Sequence, residues 1–149
     1  MRMRPRALLA LAALGLSAAL LPAGATAAQL IGASGSCADI QGGNPVDGTP
    51  LILFHCHGSP NQDWVVSNGT ISGEGGTCID VLGSAPVDGA QIIVVQCNGR
   101  SSQKWQIANG QVVGLGGKCL DVAGGGSEDR TPLVLKACAA ASSQQWSLQ

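Results

Sequence analysis

A threefold repeat with a period of 41 residues constrains this chain more than any other feature. Cys37, Cys78 and Cys119 keep that spacing, as do Cys56, Cys97 and Cys138. Asp39, Asp80 and Asp121 fall in step, and so do Gln62, Gln103 and Gln144 and the tryptophans Trp64, Trp105 and Trp146. The units open Gly35-Ser-Cys-Ala-Asp-Ile40, Gly76-Thr-Cys-Ile-Asp-Val81 and Gly117-Lys-Cys-Leu-Asp-Val122. They close Asn61-Gln-Asp-Trp64, Ser102-Gln-Lys-Trp105 and Ser143-Gln-Gln-Trp146. So short a unit cannot bury its own hydrophobic face, so the three must pack on one another.

Each unit reads as β. Its apolar runs are short, rich in Val, Ile and Leu, and punctuated by Gly, Pro, Asn and Asp. Leu51–Cys56, Gln91–Cys97 and Leu133–Cys138 are the clearest expected strands. Asn68-Gly69 and Asn109-Gly110 sit between apolar stretches, where hairpin turns belong. No window sustains a helical period. The expectation is an all-β domain of three repeats at about residues 30–71, 72–112 and 113–149.

The first 27 residues stand apart. Arg2, Arg4 and Arg6 precede an apolar run from Ala7 to Leu21 and the small residues Ala25-Thr26-Ala27. That order is a secretory signal peptide, and the run is shorter than the ~20 residues of a spanning helix. The expected product is residues 28–149, secreted, extracellular and free of the membrane once the leader is cleaved. Export permits disulfides. Six cysteines allow 15 pairings, and threefold equivalence makes Cys37–Cys56, Cys78–Cys97 and Cys119–Cys138 the simplest. Pairing between units, or free thiols, are the alternatives. Each within-unit loop of about 20 residues is worth roughly 3 kcal/mol.

Charge and motif content narrow the function. Three of the eight basic residues lie in the leader, which leaves five against nine acidic ones and no basic footprint for nucleic acid. His55-Cys56-His57 has the residue types of a zinc site. Cys97 and Cys138 lack flanking histidines, however, so Cys56 reads as a disulfide half, and neither metal nor cofactor is expected. The aspartates of the Cys-x-Asp starts recur one per unit and so diverge rather than form a carboxylate pair, and Gly-x-Ser-x-Gly is absent, so the chain does not read as an enzyme. Asn68-Gly69-Thr70 fits a glycosylation sequon but reads as a turn.

Three Gln-x-Trp motifs in strict period, with cysteine and a Cys-x-Asp start in register, resemble the ricin B-type lectin family over about residues 30–149. The resemblance implies a β-trefoil of twelve strands in three lobes. It places Trp64, Trp105 and Trp146 in the shared core and makes Gln62, Gln103 and Gln144 braces. It also implies a carbohydrate partner, galactosides or xylan-type polysaccharide. In the family a site uses an Asp after the first Cys, an aromatic two residues before the second, and an Asn before the Gln. The first unit has Asp39, Phe54 and Asn61 at these places. The second has Asp80, Val95 and Ser102, and the third Asp121, Lys136 and Ser143. Only the first keeps all three types.

The stretch Ile52-Leu-Phe-His-Cys-His-Gly-Ser-Pro-Asn-Gln-Asp-Trp64 resembles the galactose-binding segment of a ricin B-chain lobe, with Phe where Tyr or Trp is usual and Ile52 where some lobes have Gln. The implied roles are Asp39 as acceptor for two hydroxyls, Asn61 as amide donor, His57 at the rim and Gln62 behind Asp39. Strand alternation supports an outward Phe54. Leu51 and Leu53 share one face, and Ile52 and Phe54 the other. The third unit puts Lys136 on the second face, and lysine is almost never fully buried unpaired. Phe54 is therefore expected to be exposed, and it is the one aromatic not assigned to the core. A β-trefoil protease inhibitor or protein-interaction module is the rival, since fold does not fix function.

Overall fold

The computed structural model describes residues 25–149. The leader lies outside the described residues, apart from its last three. Twelve strands follow in three sets of four. The first lobe holds β1 (Ala28–Gly32), β2 (Cys37–Ile40), β3 (Thr49–Phe54) and β4 (Asp63–Ser67). The second holds β5 (Thr70–Ser72), β6 (Thr77–Val81), β7 (Ile92–Gln96) and β8 (Gln106–Ala108). The third holds β9 (Gln111–Val113), β10 (Cys119–Val122), β11 (Leu133–Lys136) and β12 (Trp146–Leu148). Short 3-10 turns link them. The fold is an all-β trefoil, as the resemblance implies.

All pairings are antiparallel and repeat from lobe to lobe. Strand β4 joins β5 through Asn68-Gly69, and β8 joins β9 through Asn109-Gly110. Both residues of each turn have positive φ (51° and 78°, 53° and 76°), the two-residue hairpin geometry that Asn-Gly favours. The sequon at Asn68 is thus a tight turn. Strand β1 closes the ring by pairing with β12 and β4.

The core is assembled in triplets. Leu30, Ile71 and Val112 come from equivalent positions, as do Leu51, Ile92 and Leu133, and all six are fully buried. The three tryptophans join them, and each indole N–H donates to a backbone carbonyl 26 residues earlier: Ala38, Ile79 and Leu120. Each ring also lies on a glycine of the next lobe. A Cβ at Gly73 would meet Trp64 at 2.7 Å, and one at Gly114 would meet Trp105 at 2.4 Å. The third tryptophan, Trp146, lies on Gly32, where a Cβ would meet it at 3.3 Å.

The disulfides are Cys37–Cys56, Cys78–Cys97 and Cys119–Cys138, one per lobe. The strands before the second cysteine stop one or two residues short of their expected ends. A second periodic set, Asp47, Asp88 and Asp129, meets them there. The backbone N–H of His55 donates to Asp129, that of Gln96 to Asp47, and that of Ala137 to Asp88. Each aspartate therefore ties its own lobe to another in a closed cycle; His55 and Ala137 lie just past the ends of β3 and β11, while Gln96 stays on the ladder as the last residue of β7.

Candidate functional site

Register explains why the site residues converge. In the β2–β3 pair, Asp39 lies opposite Ile52 and Cys37 opposite Phe54. Directly opposed residues share a face, and side chains alternate along each strand. Asp39, Ile52 and Phe54 therefore share one face, while Ala38, Ile40, Leu51 and Leu53 take the other and enter the core. The first face borders a cleft of about 460 Å³. Asp39, Phe54, His57 and Asn61 line it, together with the Gln41-Gly42-Gly43 turn and Arg130 from the third lobe.

Asp39 is buried and held by three neighbours. Its Oδ1 accepts from the Asn61 amide at 2.9 Å, and its Oδ2 from the Gln62 amide at 2.8 Å. His57 Nε2 stands 3.3 Å from Oδ2. Burial is the largest influence on this carboxyl and raises its pKa, partly offset by the Gln62 hydrogen bond and the contacts from His57 and Asn61. A carboxylate has about four acceptor sites, so Asp39 keeps room for a ligand hydroxyl, and more where His57 gives way. Gln62 acts as the expected brace. It donates also to the His55 carbonyl, and its Oε1 accepts from the His57 backbone. Gln103 and Gln144 make the same three bonds in their lobes.

Two residues differ from their expected description. Phe54 is half-buried rather than exposed, because its ring is flanked. The His55 ring lies 4.3 Å away, His57 meets it edge-on at 5.8 Å, and the Arg130 guanidinium stands 5.9 Å from its centroid. Ile52 faces away from the core but is only 5% exposed, since it bridges to Pro132 of the third lobe. Asn61 does lie beside Asp39, yet both its amide hydrogens are already directed, one to Asp39 and one to the Ile40 carbonyl. The amide thus aims the carboxylate, with Asn61 Oδ1 left as acceptor. His55, Cys56 and His57 do not converge: His55 Nδ1 binds Asp129 at 2.6 Å and Cys56 is in its disulfide.

Sequence reading missed the Gln41–Gly43 turn and Arg130. A signal existed for both. Gly42 and Gly43 follow the strand that carries Asp39 and hold φ of 68° and 62°. Arg130 stands where the period has Gly48 and Gly89, and it keeps their left-handed backbone at φ 72°.

The profile of the ricin-type β-trefoil lectin domain matches residues 26–147. The chain belongs to this family. It is a carbohydrate-binding type of domain, with its putting-together of Asp, aromatic and Asn confined to the first lobe. Among solved structures, a designed threefold symmetric protein, ThreeFoil, is similar at 25% identity with a TM-score of 0.76, over 82% of this chain and 96% of that one. An exo-β-1,3-galactanase from Clostridium thermocellum is similar at 26% identity and a TM-score of 0.76, over 83% of this chain and 30% of the enzyme. A non-toxic homologue of type II RIPs from Momordica charantia, solved with α-methyl-D-galactoside, is similar at 25% identity and a TM-score of 0.73, over 82% and 46%. This chain therefore spans under half of the latter two. No curated protein matches the chain.

Proposed function

We propose that this family member is a secreted, non-enzymatic lectin with one working sugar site, in the first lobe. The observation that carries it is the cleft in which a buried carboxylate, Asp39, faces the same way as an aromatic ring, Phe54. Such a pair suits a pyranose. The ring supports its apolar C–H face, and the charged acceptor takes adjacent hydroxyls through the stronger, charge-assisted kind of hydrogen bond. Galactosides are the favoured ligand and xylan-type saccharides the next. The galactoside bound by the bitter gourd protein and the resemblance of the Ile52–Trp64 segment support that order. Secretion rests on the leader and on three disulfides, which suit an oxidising compartment. The absence of catalysis rests on the separation of Asp39, Asp80 and Asp121 into different lobes.

A glycan array probed with wild type and Phe54→Ala tests the reading. The wild type should bind galactosides. Removal of an aromatic anchor from the site should cost at least about 2 kcal/mol, or roughly 30-fold in affinity. A wild type that binds no glycan would sink the lectin reading and leave a protein-interaction module in its place.

A further inference from the structure

We propose that Arg130 forms a cationic subsite beside Phe54, which takes an anionic substituent, a carboxylate or a sulfate ester, on the saccharide bound in the first lobe. The inference rests on the lectin reading of that cleft and adds a substrate class to it.

Four observations support it. First, Arg130 comes from the third lobe yet lines the first lobe's cleft, with its guanidinium 5.9 Å from the Phe54 centroid. Among the described residues, no other lysine or arginine borders that cleft. Second, its backbone is pinned. The Arg130 N–H donates to the Leu53 carbonyl at 2.7 Å, and the Leu53 N–H donates to the Thr131 carbonyl at 2.8 Å. The arginine is thus anchored to the strand that carries Phe54. Third, its charge is available. Asp129 beside it is committed to His55 by two hydrogen bonds. Among the described residues no ion pair involves Arg130, and it is exposed. Asp39, the other carboxylate of the cleft, is held by Asn61, Gln62 and His57. Fourth, the position is conformationally unfavourable for arginine. Gly48 and Gly89 make the same backbone bond, to Val94 and Leu135, at φ 89° and 87°. A non-glycine residue at positive φ is uncommon and points to a role for its side chain.

The guanidinium presents a planar fork of donors that matches both carboxylate and sulfate. With the sugar ring on Phe54 and its hydroxyls toward Asp39, a substituent on the Arg130 side meets that fork. The cleft would then read a neutral polyol edge at one end and an anion at the other. The net acidity of the residues after the leader gives no general attraction for anions, so any preference must be local.

Isothermal titration with a neutral galactoside, its sulfated form and a uronic-acid-bearing form tests the proposal, on wild type and on Arg130→Gly. Glycine is what the other lobes carry, so this variant is compatible with the fold. The wild type should prefer one or both anionic ligands by about five- to tenfold at low salt, and the preference should shrink as salt rises. In Arg130→Gly the anionic-to-neutral ratio should fall to about one. The sulfate and uronate arms show which anion fits. A wild-type ratio near one for both, or an unchanged ratio in the variant, overturns the subsite while leaving the lectin reading intact. Failure of the wild type to bind any of the three overturns both.

Discussion

The first lobe and the other two share a scaffold almost bond for bond, and they part at one oxygen. In every lobe the Gln of Gln-x-Trp donates to the second oxygen of the Asp. In the second and third lobes the first oxygen turns back on the chain and accepts from the next backbone N–H, at Val81 and Val122, at 2.7 Å. In the first lobe that oxygen is held by Asn61 instead. The cause is one side chain. Ser102 and Ser143 stand where Asn61 does and are too short to supply an amide, and Ser102 pairs with Ser84. Asp80 and Asp121 therefore serve a local turn, as Asp side chains do when nothing longer-range engages them. A recurring aspartate is a structural element that, in the proposed site, one lobe turns toward a ligand.

Exchanging that aspartate in two lobes gives the largest expected contrast. Asp39→Asn and Asp80→Asn each leave an amide facing donors on both sides. Each should cost about 1 to 3 kcal/mol of stability, the usual penalty for an unmatched buried donor, read by denaturant unfolding. Only Asp39→Asn should lose sugar binding, by more than about 100-fold, because hydrogen bonds to a charged acceptor are worth about 1.5–3 kcal/mol each. Equal loss of binding in both variants would contradict a single working site.

The next contrast concerns the core. The tryptophan-on-glycine contact is tight at Gly114 and looser at Gly32. A methyl at Gly114 drives the Trp105 ring or the backbone aside, and such overpacking costs about 1–3 kcal/mol. The same methyl at Gly32 needs only a few tenths of an ångström from Trp146. Gly114→Ala should therefore lose clearly more stability than Gly32→Ala in thermal unfolding. Equal losses would mean that the three lobes pack alike despite these distances.

These contacts also mark how far the sequence could be read. The period of 41 made the three β units and the disulfides legible, since equivalence is all they require, and the resemblance carried by the Gln-x-Trp motifs supplied the trefoil and the core tryptophans. The same period contains Asp47, Asp88 and Asp129, but spacing does not say that each reaches another lobe; Asp129 acts on His55, 74 residues away. Arg130 and the half-burial of Phe54 were hidden for the same reason. Alternation along one strand identifies the outward face, and a neighbouring lobe decides how much of it stays open. Ile52, on the outward face yet only 5% exposed beside its bridge to Pro132 of the third lobe, is an instance.

A smaller effect isolates the amide. Asn61→Ser would rebuild in the first lobe what the others already have. With the Asn61 amide gone, Asp39 is expected to turn toward its own Ile40 N–H, as Asp80 does toward Val81. The aim of the acceptor is lost but not its charge. Affinity should fall about five- to tenfold, near 1 kcal/mol for one hydrogen bond, with the fold retained. An unchanged affinity in titration calorimetry would show that Asn61 does not aim the carboxylate.

The smallest effect comes from pH, and its sign separates Asp39 from the aspartates between lobes. Burial raises the Asp39 pKa above its ordinary value, so the folded protein takes up this proton at a higher pH than an unfolded chain does. Its contribution to stability therefore diminishes as pH rises through the folded value. Its contribution to binding runs the other way, because only the carboxylate accepts from two hydroxyls. Asp129 and Asp88 are lowered, chiefly by their hydrogen bonds to His55 and Lys118. Their stabilisation is present above the ordinary aspartate value and is lost as pH falls through the lowered one. Acidification should therefore weaken sugar binding before it loosens the ties between lobes. Calorimetric titration at falling pH, beside circular dichroism, should find affinity declining already above the ordinary aspartate range, while the fold persists below it. Loss of binding and fold at one and the same pH would mean that the proton on Asp39 does not govern the site.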